Sequence, residues 1–219
     1  MFVIGIIICF IPLLASVILF KLKFNIKLLH QLIAILFGLI AVLPISFIQF
    51  FMPDFSSGFS SVILYSLLKS IILYGLIEEL FKMILLIPLP HKNYSIRDFL
   101  LLSFILGLAL GCFESVVYYF DHLQSATAKG AQLLYIQIFI RIFTADIIHL
   151  TCTGLSGIFI YSIREKNKKI SPILWAVILH GIYDFFAGFN SGLKYFSFAV
   201  VLLAIAECRI KYKSMINED

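Results

Sequence analysis

Long apolar runs dominate this sequence, and they leave few folds open to it. The first run, residues 2–20, contains no charged side chain at all. About 20 apolar residues are enough for one helix to cross the hydrocarbon core of a bilayer. Hydrophobic residues make up 62% of the 219 residues, against roughly 45–50% in soluble domains. The sequence therefore predicts an all-α, polytopic membrane protein.

Seven such runs, separated by short polar segments, indicate a bundle of about seven transmembrane helices. Spans of this length leave no room for a separate soluble domain, so residues 1–219 are interpreted as a single transmembrane domain. The candidate spans cover residues 2–20, 28–52, 60–90, 98–120, 132–163, 171–189 and 194–210.

Basic residues fall on alternate connections between these spans. Residues 21–27, 91–97, 164–170 and the tail from residue 209 hold 3, 2, 4 and 3 of them, twelve in all. The connections on the other side hold only Lys129 and Lys194. By the positive-inside rule, the N-terminus lies outside and the C-terminus in the cytosol. The rule also accounts for the excess of basic residues, so we expect no nucleic-acid partner.

Ionisable residues inside the predicted spans are the main indication of function. A charge at mid-bilayer costs roughly 2.5–3.5 kcal/mol, so such residues usually face a bundle interior or a water-filled cavity. The ionisable residues inside these spans are Glu78, Glu79, Lys82, Glu114, Arg141, Asp146, His149, His180 and Asp184. Four successive spans bring carboxylates and imidazoles to a similar depth. We expect Glu79, Glu114, His149 and His180 to meet around one water-accessible cavity near the midplane, opening towards the outer half of the bilayer.

Helical spacing predicts which of these groups pair within one helix. Lys82 follows the two glutamates by four and three residues, so it is expected to neutralise one of them. Asp184 follows His180 by four, the spacing at which a carboxylate orients an imidazole or shares a metal with it. Asp146 is expected to pair with Arg141 or to cap a polar pocket rather than to take part in chemistry.

The order and spacing of these residues resemble the PrsW family of bacterial intramembrane proteases, which is related more distantly to the type II CAAX prenyl endopeptidases. The resemblance covers about residues 75–188, the motif-bearing core. One departure is Ser115, where the family usually has Asn after its Phe-Glu pair. Four elements in order carry the resemblance. They are EExxK at residues 78–82, an element similar to GxxFExxxY at 111–118 (here Gly-Cys-Phe-Glu followed by Tyr118, with one residue fewer between Gly and Phe), Arg141 followed by His149, and HGxxD at 180–184.

The resemblance implies an intramembrane endopeptidase in a bacterial plasma (inner) membrane. Its substrate would be a single-span protein, typically an anti-sigma factor, cut in or near the outer half of its span as the first step of a stress response. The residues alone leave two other classes of function open. A proton- or ion-coupled carrier could use the same groups as a relay, and a catalytically inactive scaffold could retain the fold.

Two mechanisms of hydrolysis fit these residue types. In the glutamate version, Glu78 or Glu79 activates water as general base while His149 or His180 stabilises the oxyanion. In the metal version, Zn binds both histidines and either Glu114 or Asp184, and one glutamate of the doublet is the base. The predicted catalytic residues are Glu78, Glu79, Glu114, His149, His180 and Asp184, with His149, His180 and Glu114 as metal ligands.

Overall fold

A computed structural model describes residues 2–90, 94–123, 128–166 and 169–217 of the chain. Within these residues every regular element is helical, which agrees with the all-α prediction. Lys92 and Lys168, two of the basic residues used to predict the topology, lie outside the described residues, as does the side chain of Lys129. The α-helices are α1 (Phe2–Phe24), α2 (Leu28–Phe51), α3 (Val62–Lys69), α4 (Ile77–Leu86), α5 (Ile96–Leu123), α6 (Ala128–Phe143), α7 (Ala145–Arg164), α8 (Ser171–Ala187) and α9 (Phe196–Ile216).

Four helical stretches are long and apolar enough to cross a membrane by length and composition. They are Val3–Phe24, Leu28–Phe51, Ile96–Leu123 and Leu133–Arg164, and α8 is a shorter apolar helix. The chain is therefore a membrane protein. Each of the seven predicted spans lies in a helical part of the chain, but the third and the fifth are not single α-helices.

The third predicted span is interrupted by a π-helical segment, Ser70–Leu76, between α3 and α4. The expectation of one continuous helix over residues 60–90 is therefore wrong. The segment packs closely on α8, because a Cβ atom added to Gly75 would lie 2.4 Å from the carbonyl oxygen of Val177, and one added to Gly181 would lie 2.4 Å from the Cα of Ile71. Such π-helical turns are frequent at functional sites, and this one ends two residues before Glu78.

The fifth predicted span is also broken, at Thr144 between α6 and α7. The backbone of Thr144 has φ −125° and ψ −77°, outside the helical range. Its hydroxyl donates to the carbonyl oxygen of Ile140 at 2.9 Å, so the side chain bonds back to the preceding turn. The break leaves Arg141 at the end of one helix and Asp146 at the start of the next.

Helix α5 lies at the centre of the bundle and is buried along most of its length. It packs against α1, α2 and α7. Small residues allow close approach on two sides, since a Cβ at Gly38 would lie 2.3 Å from the carbonyl oxygen of Leu106 and one at Gly107 would lie 2.4 Å from that of His149. The central helix thereby sets the positions of the helices that carry the ionisable side chains.

Candidate active site

Glu79 is the most completely bonded of the intramembrane carboxylates. Its Oε1 atom lies 2.8 Å from the Nζ of Lys82 and 2.9 Å from the Nδ1 of His180. Its Oε2 atom accepts a hydrogen bond from the hydroxyl of Ser156 at 2.8 Å. The side chain is fully buried, so Glu79 connects α4, α7 and α8 and has no oxygen left for substrate or water. Lys82 is fully buried too, and the predicted pairing with the doublet is observed.

The contact with Glu79 also fixes which nitrogen of His180 is free. A carboxylate can only accept, so in the neutral ring Nδ1 carries the proton and Nε2 presents its lone pair. That Nε2 lies 3.6 Å from the Oε2 of Glu78 and 3.5 Å from the Oδ2 of Asp184. Both distances are too long for a hydrogen bond. Glu79, not Asp184, is therefore the carboxylate that orients His180.

His149 is held by a second glutamate, Glu114. The Nε2 of His149 lies 2.8 Å from the Oε2 of Glu114 on α5, and its Nδ1 lies 3.1 Å from the Nζ of Lys82. The two imidazole rings are edge to face, with centroids 4.9 Å apart. Each histidine thus has one nitrogen on a glutamate. The second nitrogen of His180 has no hydrogen-bond partner among the described residues, whereas that of His149 accepts from Lys82 and would have to exchange this bond to bind a metal. These two nitrogens lie 3.6 and 3.8 Å from the Oε2 of Glu78.

Glu78 differs from its neighbour because half of its carboxylate is free. Its Oε1 atom accepts from the side-chain amide of Gln49 on α2 at 3.1 Å. Its Oε2 atom is buried and has no hydrogen-bond partner, although the Nζ of Lys82 lies 3.7 Å away and the Nδ1 of His149 lies 3.8 Å away. Gln49 was not among the predicted site residues, because those were chosen for their ionisable side chains. A polar amide inside an apolar run is the feature of the sequence that could have indicated it.

Three buried polar atoms without partners meet in this site: Glu78 Oε2, His180 Nε2 and Asp184 Oδ2. Buried polar groups are almost always hydrogen-bonded, so each exception requires an explanation. Ligand atoms of Glu78, His149 and His180 all lie within 4.8 Å of one another. A His/His/carboxylate set fits a zinc-type ion. The residues present therefore fit a metal, with Glu78 in the position that the sequence analysis gave to Glu114.

Glu78, Glu114 and Asp184 line a cavity of about 690 Å³, and the two histidines lie behind them. The side chains of Glu114 and Asp184 are 32% and 27% exposed, so water has access to the site. The cavity extends past Asp121 and Gly188 near the ends of α5 and α8. The residues that we expected around one cavity, Glu79, Glu114, His149 and His180, are brought together.

A buried chain of hydrogen bonds lies beside the site. The Nε of Arg141 donates to the hydroxyl of Ser115 at 3.2 Å, and that hydroxyl donates to the Oδ1 of Asp146 at 3.1 Å. Ser115 thus links Arg141 to Asp146, and the two are not in direct contact. The residue that departs from the family pattern still both accepts and donates a hydrogen bond at its position.

Small residues on α5 allow His149 to approach the centre. A Cβ at Gly111 would lie 3.0 Å from the Cδ2 of the His149 ring and 3.2 Å from the Cα of Asp146. Any larger side chain there would separate α5 from α7. Gly111 therefore permits the contact between Glu114 and His149.

Fold and site together define a class, a helical membrane protein with a hydrated His/carboxylate centre between its helices. A model of the PrsW family intramembrane metalloproteases matches residues 27–206, most of the chain. The protein belongs to this family and is accordingly an intramembrane protease, a hydrolase. The family description also favours the metal version of the two predicted mechanisms. Searches of curated proteins and of solved structures gave no match.

Proposed function

We propose that this protein is a zinc-dependent endopeptidase that cuts a single-span membrane protein, typically an anti-sigma factor, within the outer half of its span. The observation that carries the proposal is the group of three buried, unpartnered atoms on Glu78, His180 and Asp184. Two of the three residues, Glu78 and Asp184, line the cavity of about 690 Å³. A stable structural pair, such as Glu79 with Lys82, would leave no such atoms unbonded.

Glu78, His149 and His180 are the residues that would hold the metal. When bound, the ion would act as a Lewis acid, polarising the scissile carbonyl group and lowering the pKa of water. Glu79 and Glu114 each hold one histidine by its other ring nitrogen. Carboxylates in this position fix the orientation of the ring and raise its basicity as a ligand. They are therefore positioning residues.

Asp184 is the carboxylate that we assign to proton transfer. Its Oδ2 is unpartnered and lies beside the site, and its side chain reaches the cavity. It accepts a proton from the attacking water as the new bond forms between the water oxygen and the carbonyl carbon. It then gives that proton to the amide nitrogen as the C–N bond breaks, so one water is consumed and a carboxylic acid and an amine result.

We further propose seven spans with the N-terminus outside, in the plasma membrane of a bacterium. Contacts among the basic connections support this orientation. Arg164 donates to the carbonyl oxygen of Ile87, the Nζ of Lys169 donates to Ser214 at 3.2 Å, and Arg97 lies 5.6 Å from the ring centre of Phe24. Four basic connections thus lie at the same end of the bundle, and the cavity opens towards the opposite end.

Purified protein in liposomes, incubated with a single-span reporter, tests the proposal. We expect cleavage that a chelator abolishes and zinc restores, and one bound metal per chain that is lost in His180→Ala. Asp184→Asn should reduce the rate by about 10²- to 10⁴-fold. Glu207→Gln is the matched control, because Glu207 is paired with Lys211 at 3.0 Å near the end of α9, and it should remain active.

The two alternative functions predict other outcomes of the same experiment. Proton uptake without cleavage, lost in Asp184→Asn, would indicate a carrier. Stoichiometric metal binding without cleavage of any reporter would indicate an inactive scaffold. Cleavage that persists in the His180→Ala variant would show that the reaction does not require the metal site.

A further inference from the structure

A second cavity, of about 240 Å³, lies beside the catalytic one and carries two basic side chains. It is formed between α5, α6, α8 and the start of α9, at the end of the bundle that we assign to the outer side. Tyr118, Arg141, Thr144, Tyr183, Lys194 and Tyr195 are among the residues that line it. The proposed mechanism uses none of them.

Among the described residues, no acidic side chain lines this cavity. Arg141 reaches Asp146 only through the hydroxyl of Ser115, and neither Arg141 nor Lys194 forms an ion pair within the part of the chain that the structure describes. Residues 124–132, which precede the described side chains of α6, contain Lys129 and no acidic residue. Two cations in a cavity without an acidic lining residue favour an anionic ligand.

The guanidinium of Arg141 and the backbone of Lys194 are held in place by their surroundings, while the side chain of Lys194 is exposed. The guanidinium carbon of Arg141 lies 4.7 Å from the ring centre of Tyr118, and its Nε donates to Ser115. The other guanidinium nitrogens remain for a ligand, and guanidinium binds carboxylate groups through paired hydrogen bonds. Lys194 belongs to a 3₁₀ segment, Gly192–Tyr195, whose end is tied to α9 by a 2.6 Å hydrogen bond from Ser197 to the carbonyl oxygen of Lys194.

The basic cavity is continuous with the catalytic cavity. Tyr118, Arg141 and Ala187 line both. A polypeptide lying in the catalytic cavity would therefore present nearby side chains to Arg141. A lipid headgroup would reach the same cations only from the bilayer side, so continuity with the site favours a group carried by the substrate.

We infer that the basic cavity binds a side-chain carboxylate of the substrate, an aspartate or glutamate on the outer side of the scissile bond, and so selects substrates with an acidic segment there. The inference rests on the proposed function, because it assigns a specificity determinant to the same site. Lys194 is the main test residue. Arg141 also bonds to Ser115, so replacing Arg141 would disturb that hydrogen bond as well as the basic cavity.

The experiment uses the full-length protein in liposomes of neutral phosphatidylcholine and a single-span reporter whose cleavage site has been mapped by mass spectrometry. Each residue on the outer side of the cut is replaced in turn by Asp or by Asn. At one or two adjacent positions, Asp should raise kcat/KM about tenfold over Asn, as expected for a charge-assisted hydrogen bond. Lys194→Gln should abolish that difference, so that the Asp and Asn reporters are cut with equal kcat/KM.

Lys213→Gln is the matched control, because it removes an exposed lysine at the opposite end of the bundle, and it should retain the preference for Asp. Lys194→Glu should reverse the preference in favour of a reporter with Lys at the same position. Equal rates for Asp and Asn reporters throughout would overturn the inference. An effect of Lys194→Gln that appears only with phosphatidylglycerol in the liposomes would also overturn it and would identify a lipid site.

A binding measurement separates this inference from the proposed function. The Asp reporter should bind to Glu78→Gln about ten times more tightly than the Asn reporter does, and addition of Lys194→Gln should remove that difference. If no reporter is cut but this difference is present, the proposed function fails and the carboxylate site stands. If reporters are cut but the difference is absent, the carboxylate site fails alone.

Discussion

Glu78 and Glu79 are adjacent in the sequence, but the fold gives them different roles. Adjacent residues of an α-helix point about 100° apart. One side chain is consequently enclosed by Lys82, Ser156 and His180, while the other keeps one oxygen free beside the cavity. The sequence could place both at the site but could not separate ligand from positioning residue, because the contacts that decide this come from α7 and α8.

Replacing each glutamate by glutamine should therefore have different effects on stability. Glu78→Gln should abolish activity and lower metal affinity, with little change in the unfolding midpoint when both proteins are compared in detergent after chelation. Glu79→Gln should lower the free energy of unfolding by about 3–5 kcal/mol, because it leaves the buried charge of Lys82 without its closest partner. Equal midpoints for the two variants would contradict the assignment.

A double-mutant cycle should measure the buried pair directly. Lys82→Met alone leaves Glu79 charged and buried, so it too should be strongly destabilising. The variant carrying both Glu79→Gln and Lys82→Met should be more stable than the sum of the single effects predicts, with a coupling energy of about 1–3 kcal/mol. Equilibrium unfolding of the four proteins checks this, and strict additivity would exclude a structural ion pair.

At the scale of the elements, hydropathy predicted where helices occur but not where they change character. The π-helical segment and the break at Thr144 lie inside long, mainly apolar runs. Nearby polar residues such as Lys69, Arg141 and Asp146 do not by themselves distinguish an interrupted helix from a continuous one. Both depend on contacts with other helices, the first on α8 and the second on the polar groups beside Asp146. The ends of α1 and α9 also extend beyond the predicted spans, since Lys and Arg are good helix formers where the chain leaves the apolar run.

The close packing of the π-helical segment on α8 should be sensitive to a single methyl group. Gly75→Ala places a Cβ against the carbonyl oxygen of Val177, so the segment must move away from α8, and Glu78 and Glu79 must move from His180. We expect a stability loss of about 1–3 kcal/mol together with weaker metal binding, measured by unfolding and by metal titration. Gly58→Ala is the control, because nothing lies within 4 Å of a Cβ at Gly58.

At the scale of the whole molecule, the distribution of basic residues makes a direct prediction about topology. A membrane-impermeant thiol reagent applied to intact cells should label a cysteine placed at Ser57 and should spare one placed at Lys213, both exposed positions. The four native cysteines are buried and should not react. Labelling at position 213 alone would invert the proposed orientation, and labelling at both would give an even number of spans.

The metal site should also make the stability of the whole bundle depend on zinc. An ion that binds only the folded protein stabilises it by RT ln(1 + [L]/Kd), or about 2.7 kcal/mol at a hundredfold excess over Kd. The midpoint temperature of thermal unfolding in detergent should therefore fall after chelation and return to its original value when zinc is added. His180→Ala should lose this dependence. A midpoint unaffected by zinc in the unaltered protein would argue against a site built from three separate helices.

The π-helical segment Ser70–Leu76 also determines which changes of chain length the third span tolerates. Its hydrogen bonds run from residue i to i+5, so it contains one residue more than the α-helix it interrupts would need. Loss of one residue there would restore α-helical pitch and leave the direction of Glu78 and Glu79 nearly unchanged. Loss of one residue immediately before Glu78, between it and the segment, would rotate the doublet by about 100°. In evolutionary terms, insertions and deletions in this span are expected to accumulate in the π-helical segment, where the length of the chain can vary without moving Glu78 and Glu79.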